Sequence, residues 1–302
     1  MTKLCGIVVH WHAEDDLRAL LDVWPQDPRF EIVVVDNGSN DEMAALCADR
    51  ARLVTPERNL GFAGGVNRGA AETDAPWLLL LNPDARPKPG ALEALLEATE
   101  GTPDAAGFAP HLENPDGTSQ HSWQLRPLPS LPQLLRQALF VPGPPGPAEL
   151  PAAGTAVEQP AAAALLLRRS AFDELGGFDE GYFPAWHEDV DYALRTAAAG
   201  GRFFFVPEAV FVHRLGGSVS PLGYERFLLA YYRNLARFVR RHHGAFWARL
   251  LRWLLAAAAW ARIVLLPLRK PQRATDRAAA ARALMRLSRA ALSGFPVASS
   301  GS

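Results

Sequence analysis

The N-terminal third alternates short apolar, β-branched runs with amphipathic stretches, and this alternation limits the fold more than any other feature. Leu4 to Val9 is one such run and Ile32 to Val35 another. Between them, Leu17, Leu20, Leu21 and Trp24 fall on one face of a helix. Strand, helix, strand in that order makes a parallel pair with a helix packed on its face. Leu53-Val54 supplies a short third strand and Trp77 to Leu81 a fully apolar fourth, with helices at about 41–49 and 91–99. The expected class is α/β with a mostly parallel central sheet.

Polar residues then fall where such a sheet places its ligand, at the carboxyl ends of strands. Asp36 follows Ile32–Val35 and leads into Asn37-Gly38-Ser39. It can accept hydrogen bonds from a ribose or a base N–H, or it can simply cap the next turn. Asp84 follows the fourth strand through Asn82-Pro83. A strand-end carboxylate there suits a hard divalent cation, Mg²⁺ or Mn²⁺, that takes its other ligands from phosphate and water. Arg58 and Asn59 precede the glycine run Gly61, Gly64, Gly65, Gly69, which lets backbone approach a ligand closely. The run does not fit G-x-G-x-x-G. The turn after the first strand is His10-Trp-His-Ala-Glu-Asp-Asp16, and acid there opposes a dinucleotide pyrophosphate.

Further along, residues 126–160 are dense in proline, and Pro142-Gly-Pro-Pro-Gly-Pro147 supports neither helix nor sheet. Strand patterning returns at Ala161–Leu167, Arg202–Val206 and Ala209–Val212, the last delivering His213. A short helix is expected at Ser170–Leu175, ending at Gly176-Gly177. Between these elements lies Trp186-His-Glu-Asp-Val-Asp191, with Arg195 one turn beyond Asp191. Two readings fit the three crowded carboxylates: an acid-rich helix N-terminus, or a general base presented at a helix start.

Net charge is −1, but from Tyr224 onward 15 Arg and Lys face only Glu225 and Asp276, a local net of +13 that leaves −14 for the rest. A basic tail on an acidic body suggests an anionic surface as its partner. Tyr224 to His243 reads as a long helix rich in aromatics and arginine. Trp253 to Leu268 is apolar apart from Arg262, and its 16 residues reach about 24 Å at ~1.5 Å per residue, short of a ~30 Å hydrocarbon core. Two readings stand for this tail: a pair of interfacial helices on a membrane surface, or core helices packed on the body. Its arginines alternate with Leu, Trp and Ala rather than with stacking aromatics, so no nucleic acid is expected. Cys5 and Cys47 form no metal or disulfide pattern, and no signal peptide is expected at the N-terminus, which fits a reducing cytoplasmic setting.

The order of these motifs resembles family 2 glycosyltransferases of the GT-A fold. Val33-Val-Val-Asp-Asn-Gly-Ser-Asn-Asp41 is similar to their nucleotide-binding stretch and Asn59-Leu-Gly-Phe-Ala-Gly-Gly-Val-Asn-Arg-Gly69 to the element after it. Leu79-Leu-Leu-Asn-Pro-Asp84 resembles their Asp-x-Asp metal motif, with Asn82 in the first slot. Glu188-Asp-Val-Asp-Tyr-Ala-Leu-Arg195 resembles the element bearing their catalytic base, and Val206–Ser218 their closing segment. The pattern is nearest the rhamnosyltransferase-like branch that builds bacterial cell-surface polysaccharide. The resemblance implies an inverting transfer from a nucleoside-diphosphate sugar, dTDP- or UDP-linked, to a glycan or lipid-linked acceptor. It implies Asp189 as base with Glu188 beside it, and donor contacts from Asp36, Asn37, Arg58, Asn59, Gly61, Phe62, Asn67, Asn82 and Asp84. Trp186, His187 and Asp191 would face the acceptor, and Asp84 with His213 would hold the metal. A catalytic domain over 1–222 (donor half 1–110, acceptor half 111–222) would carry a basic helical extension over 223–302, docked on the inner face of the cell membrane.

Two departures stand out. His10-Trp11-His12 replaces the usual Asn-Tyr-Asn, so Trp11 offers a ring for nucleobase stacking. Gln159-Pro-Ala-Ala-Ala-Ala164 replaces a segment that usually contains Ser and Gly. A sugar-nucleotide pyrophosphorylase shares the strand-end acids, but its first turn would be glycine-rich and basic. A non-catalytic membrane scaffold would use only the basic tail.

Overall fold

The computed structural model describes residues 3–39, 42–102, 104–214, 222–266 and 274–295. Expectations for Asn40 and Asp41, for 215–218 of the closing segment and for 267–273 of the tail lie outside the described residues. The first half comprises β1 (Leu4–His10), α1 (Glu14–Val23), β2 (Phe30–Asp36), α2 (Met43–Cys47), β3 (Arg52–Val54), α3 (Gly61–Ala70), β4 (Trp77–Leu81), β5 (Ala85–Pro87) and α4 (Ala91–Gly101). Then come β6 (Gly107–Glu113), α5 (His121–Gln124), β7 (Leu125–Arg126), α6 (Leu131–Ala138), β8 (Ala156–Val157), β9 (Gln159–Pro160), β10 (Ala164–Arg168) and α7 (Arg169–Glu174). The chain continues through α8 (Glu188–Ala198), β11 (Phe203–His213), α9 (Tyr224–His243), α10 (Ala245–Leu265) and α11 (Arg277–Ser293).

Nine strands form one sheet in the order β3-β2-β1-β4-β10-β6-β11-β5, with β8 beside β11. β3, β2, β1 and β4 are mutually parallel, and β6 and β11 run the same way. β10 is inserted antiparallel between β4 and β6, while β5 and β8 run antiparallel to β11. β4 lies at the centre of this sheet, covered on both faces, which is why its sequence is apolar throughout rather than alternating. Leu78 to Leu81 are fully buried, each worth roughly 1.5–3 kcal/mol.

The glycine run does two jobs. A Cβ on Gly65 would stand 2.7 Å from the Val9 side chain and one on Gly69 2.6 Å from Ile7, so α3 lies directly on β1. Gly61, at φ +70°, starts the helix on the ligand side of the sheet.

Several elements differ from expectation. Arg202–Val206 and Ala209–Val212 are one strand, β11, which crosses Pro207-Glu208 with a register shift between Val206 and Val210. A bulge accommodates the proline that would break a regular ladder. β6 was not anticipated, because Pro110 and His111 interrupt its apolar pattern. α6 lies inside the proline-rich stretch, with Pro132 near its start and the Ser130 amide donating to Gln133 Oε1 at 2.8 Å. Pro142–Pro147 has no regular structure, as composition indicates.

Helices α9, α10 and α11 share one apolar cluster with Leu134 and Ala138 of α6, Tyr182, and Val190 of α8. The division expected at residue 222 therefore runs through continuous packing. One face of α10, with Ala248, Leu251, Leu255, Ala256 and Ala259, is buried in that cluster, as the core-helix reading requires. The opposite face is a different matter. Phe246, Trp253, Trp260 and Val264 lie on one exposed stripe, at 68%, 61%, 53% and 74% exposure. No helix among the described residues is long and apolar enough to cross a membrane.

Candidate active site

At the carboxyl end of β4, the chain turns through Asn82-Pro83-Asp84 into β5. Because β5 pairs antiparallel with β11, His213 falls opposite Ala85, and Asp84 is brought against the histidine. His213 Nε2 lies 3.6 Å from Asp84 Oδ1, both side chains almost fully buried. A chain of hydrogen bonds then fixes the imidazole. The Asp116 carboxylate can only accept, so Thr118 donates its hydroxyl to it and in turn accepts Asn114 Nδ2–H. Asn114 Oδ1 is left to accept Gln120 Nε2–H at 2.7 Å, and the same nitrogen donates to the His213 carbonyl at 2.7 Å. Gln120 Oε1 must therefore accept His213 Nδ1–H, at 2.9 Å, which leaves Nε2 with a lone pair facing Asp84. Trp123 stacks on the ring at 5.7 Å. Burial holds the imidazole below its usual pKa, against the pull of Asp84. A carboxylate oxygen and an unprotonated imidazole nitrogen at this spacing fit a divalent cation. No cluster of three His, Cys, Asp or Glu occurs among the described residues, so the remaining ligands would come from substrate and water.

The wall expected to take the donor is built around Gly61. Asn37 Nδ2 donates to the Gly61 carbonyl at 2.9 Å and its Oδ1 accepts the Leu60 amide at 3.1 Å. Asn59 Oδ1 accepts the Gly61 amide at 2.8 Å. The Phe62 amide donates to the Pro184 carbonyl at 2.6 Å. A Cβ on Gly61 would meet that carbonyl at 2.8 Å, so the glycine lets the donor half touch the loop before α8.

That loop is tightly wound. Trp186 and His187 both adopt positive φ, +78° and +71°, which costs L-residues of order 1–3 kcal/mol each. Asn234 of α9, fully buried, holds them: its Nδ2 donates to the Ala185 carbonyl at 2.8 Å and lies 3.2 Å from the Phe183 and Trp186 carbonyls. Trp186 packs edge-on to Phe227, and His187 lies against Tyr231. Burial, aided by Arg126, lowers the His187 pKa to about 3, so this imidazole is neutral.

The loop delivers Glu188 and Asp189 at the N-terminus of α8. Glu188 is buried, with Oε2 lacking a hydrogen-bond partner, and burial plus the neighbouring Asp189 charge raise its pKa well above the carboxylate range. Asp189 is also raised by burial, but Arg126 and the backbone N–H groups of Val190 and Ala162 oppose the shift. Its Oδ1 accepts the Val190 amide at 2.8 Å, and Gln159 Nε2 lies 3.5 Å from Oδ2. Of the two, Asp189 is the carboxylate better able to ionise at neutral pH.

A cavity of about 980 Å³ joins these parts. Trp11, Asn37, Asn59, Gly61, Phe62, Asn82 and Asp84 line it, as do Trp186, His187, Glu188, Asp189 and His213. Four expected site residues do not. Asp36 is buried one residue from the cavity wall and accepts the Ser39 amide at 3.0 Å, a turn role. Arg58 is exposed outside the lining. Asn67 binds both the amide and the carbonyl of Phe178 at 2.9 Å, so it anchors the 176–180 loop instead of a donor. Asp191 does not line the cavity and is fully buried, bonded to Arg195 Nε (2.8 Å), Tyr182 Oη (3.1 Å) and His242 Nε2 (2.7 Å). Conversely, Gln120, Trp123, Arg126, Gln159 and Asn234 were missed. Only Gln159 lay in a motif already singled out; Gln120 and Trp123 sit between β6 and β7, Arg126 at the edge of the proline-rich stretch and Asn234 in the tail, none with a local signature.

A sheet with this order, an Asp–His corner at one strand end and a helix presenting two carboxylates across the cavity define a GT-A glycosyltransferase. Among solved structures of the same fold, GalNAc-T7 with UDP, GalNAc and Mn²⁺ superposes with a TM-score of 0.56 at 17% identity, over 80% of this chain and 48% of that one. The Pyrobaculum calidifontis mannosyltransferase PcManGT, with GDP-Man and Mn²⁺, gives 0.53 at 18% identity, over 97% and 83%. The family model for Glycosyl transferase family 2 matches residues 7–176. The N-acetylglucosaminyl-diphospho-decaprenol L-rhamnosyltransferase of Mycobacterium tuberculosis is 32% identical over 253 residues, 74% of this chain and 79% of that protein. Rhamnosyltransferase WbbL of Escherichia coli is 29% identical, over 68% and 81%. The chain belongs to glycosyltransferase family 2, in its rhamnosyltransferase-like branch.

Proposed function

We propose that this enzyme inverts configuration as it moves a sugar, rhamnose or a related hexose, from a dTDP- or UDP-linked donor to a hydroxyl of a lipid-linked acceptor. The observation that carries the reading is one cavity walled by Asp84 and His213 at one end and by Glu188 and Asp189 at another. Asp189 takes the proton of the acceptor hydroxyl as its oxygen bonds the anomeric carbon. The bond from that carbon to the donor phosphate oxygen breaks on the opposite face, and its electron pair leaves with the nucleoside diphosphate. Asp84 and His213 would hold a divalent cation, Mg²⁺ or Mn²⁺, which would supply neutralisation of the charge developing on that leaving group. Asn37, Asn59 and Gly61 shape the donor wall, and Trp11 offers a ring to the nucleobase. Burial and the Asp189 charge make Glu188 the harder of the two to ionise, which limits negative charge beside the base.

The C-terminal helices suit work at the membrane surface. The aromatic stripe of α10 and the arginines of the tail match an anionic lipid interface, which supports peripheral docking on the cytoplasmic face and a role in cell-surface polysaccharide synthesis. Screening donor hydrolysis and transfer over a panel of nucleotide sugars with Mn²⁺ tests the function. A complete absence of turnover across dTDP, UDP and GDP sugars would reject it.

A further inference from the structure

Residues 120–126 join the two poles of the cavity. At one end Gln120 fixes the His213 imidazole that faces Asp84. At the other, Arg126 pairs with Gln159 in the β7–β9 ladder, and Gln159 Nε2 lies 3.5 Å from Asp189 Oδ2. Trp123 sits midway along the segment with its ring stacked on His213, yet it stays 36% exposed and lines the cavity. A large apolar ring left open in a pocket forgoes burial that a ligand can restore. The segment that carries it is fixed on both sides. Inside, the buried Gln124 side chain accepts the Leu112 amide and donates to the Pro110 carbonyl. Outside, the proline-rich loop closes on it: the Gly146 amide donates to the Ser122 carbonyl at 2.6 Å, and a Cβ on Gly146 would overlap the Leu125 carbonyl. Gly143 and Pro144 of the same loop line the cavity. Trp123 is therefore held in place before any ligand arrives, which lowers the cost of binding one.

We propose that Trp123 is the platform on which the sugar ring of the donor stacks, and so a residue that recognises the sugar and not the nucleotide. This role rests on the transferase reading and gives the transferred sugar a contact of its own. A sugar in transfer is bonded to the diphosphate at the Asp84–His213 pole and meets the attacking hydroxyl at the Asp189 pole. It therefore lies along the segment that spans them. The C–H-rich face of a pyranose is apolar and weakly positive, which matches the negative face of an indole ring. The stack on His213 sets that ring beside the corner expected to hold the diphosphate, where the attached sugar begins.

The test uses the full chain with Mn²⁺ and two probe pairs, dTDP with dTDP-rhamnose and UDP with UDP-glucose. Each is titrated by calorimetry against wild type, Trp123→Leu and Trp123→Phe. Leucine keeps apolar cover over His213, phenylalanine keeps an aromatic face, and thermal melts verify that both variants fold. Trp123→Leu is expected to weaken the nucleotide sugar that wild type binds by roughly five- to thirtyfold while leaving the matching nucleoside diphosphate unchanged. Trp123→Phe is expected to recover most of that loss. Unchanged nucleotide-sugar affinity in Trp123→Leu overturns the proposal. An equal loss for the nucleoside diphosphate also overturns it, because the ring would then act through His213 alone. Both of those outcomes leave the transferase reading standing. A wild type that binds neither nucleoside diphosphates nor nucleotide sugars rejects the transferase reading, and the role of Trp123 with it.

Discussion

His213 Nε2 and Asp84 Oδ1 face each other at 3.6 Å with the imidazole proton held on the far nitrogen by Gln120. The order of hydrogen bonds from Asp116 through Thr118 and Asn114 leaves Gln120 no other polarity. In metal-free protein, long-range ¹H–¹⁵N correlation is expected to show His213 protonated at Nδ1 and bare at Nε2. Gln120→Leu removes the acceptor, so both tautomers should appear and Mn²⁺ affinity should fall by roughly 10- to 100-fold. A single Nε2–H tautomer in the wild type would contradict this arrangement.

The two carboxylates at the start of α8 should separate on mutation. Asp189→Asn is expected to keep donor binding, measured by calorimetry, and to lose transfer by about 10²–10⁴-fold or more. Glu188→Gln should keep most activity, since burial opposes ionisation of Glu188 and the neutral amide mimics its uncharged form. Near-normal turnover in Asp189→Asn removes it as the base.

Their pKa shifts also fix the sign of two pH effects. Asp189 works ionised and its pKa is raised, by burial first, so kcat should climb with pH through a midpoint above the ordinary aspartate range. A rate that stays flat down to the usual carboxylate pKa would contradict this. Glu188 has its folded pKa raised above the unfolded value, so its stability contribution is full in acid and is lost as pH rises toward the folded value. Glu188→Gln should therefore raise Tm by a few degrees at neutral pH and not at pH 4.

What the sequence made legible follows from locality. Strand-end acids, the glycine run and the acidic helix start each occupy a few consecutive residues, so Asp84, Gly61 and the Glu188-Asp189 pair could be picked out, with Asp189 singled out as base only by the family resemblance. Asn67 and Asp191 sat in the same motifs, yet tertiary partners, Phe178 for one and Tyr182 with His242 for the other, took their side chains away from the cavity. Gln120, Arg126 and Asn234 were hidden for the converse reason. Each reaches the site through a fold-level neighbour (β11, β9 and the 183–186 loop), and no local pattern records that approach.

Asn234 tests whether the C-terminal helices are part of the catalytic body. Asn234→Leu leaves the buried Ala185 carbonyl without its donor, which should cost about 1–3 kcal/mol and loosen the turn that presents Asp189. Chemical denaturation and KM for acceptor should both move. Unchanged stability and kinetics would mean that α9 merely rests against the loop.

The exposed stripe of α10 is the surface on which the proposed membrane docking can be tested. A Trp253→Ser, Trp260→Ser double variant should lose flotation with anionic liposomes while donor hydrolysis in solution stays at the wild-type rate. Undiminished flotation would exclude this stripe as the contact, and a wild type that does not float would reject membrane docking.

The central claim is in-line displacement with Asp189 as base, and the anomeric configuration of the product tests it most directly. The full chain, Mn²⁺, an active nucleotide sugar and a lipid-linked acceptor should yield a linkage whose configuration, read by NMR, is opposite to that of the donor. A product with the donor's configuration retained would contradict the mechanism proposed for Asp189.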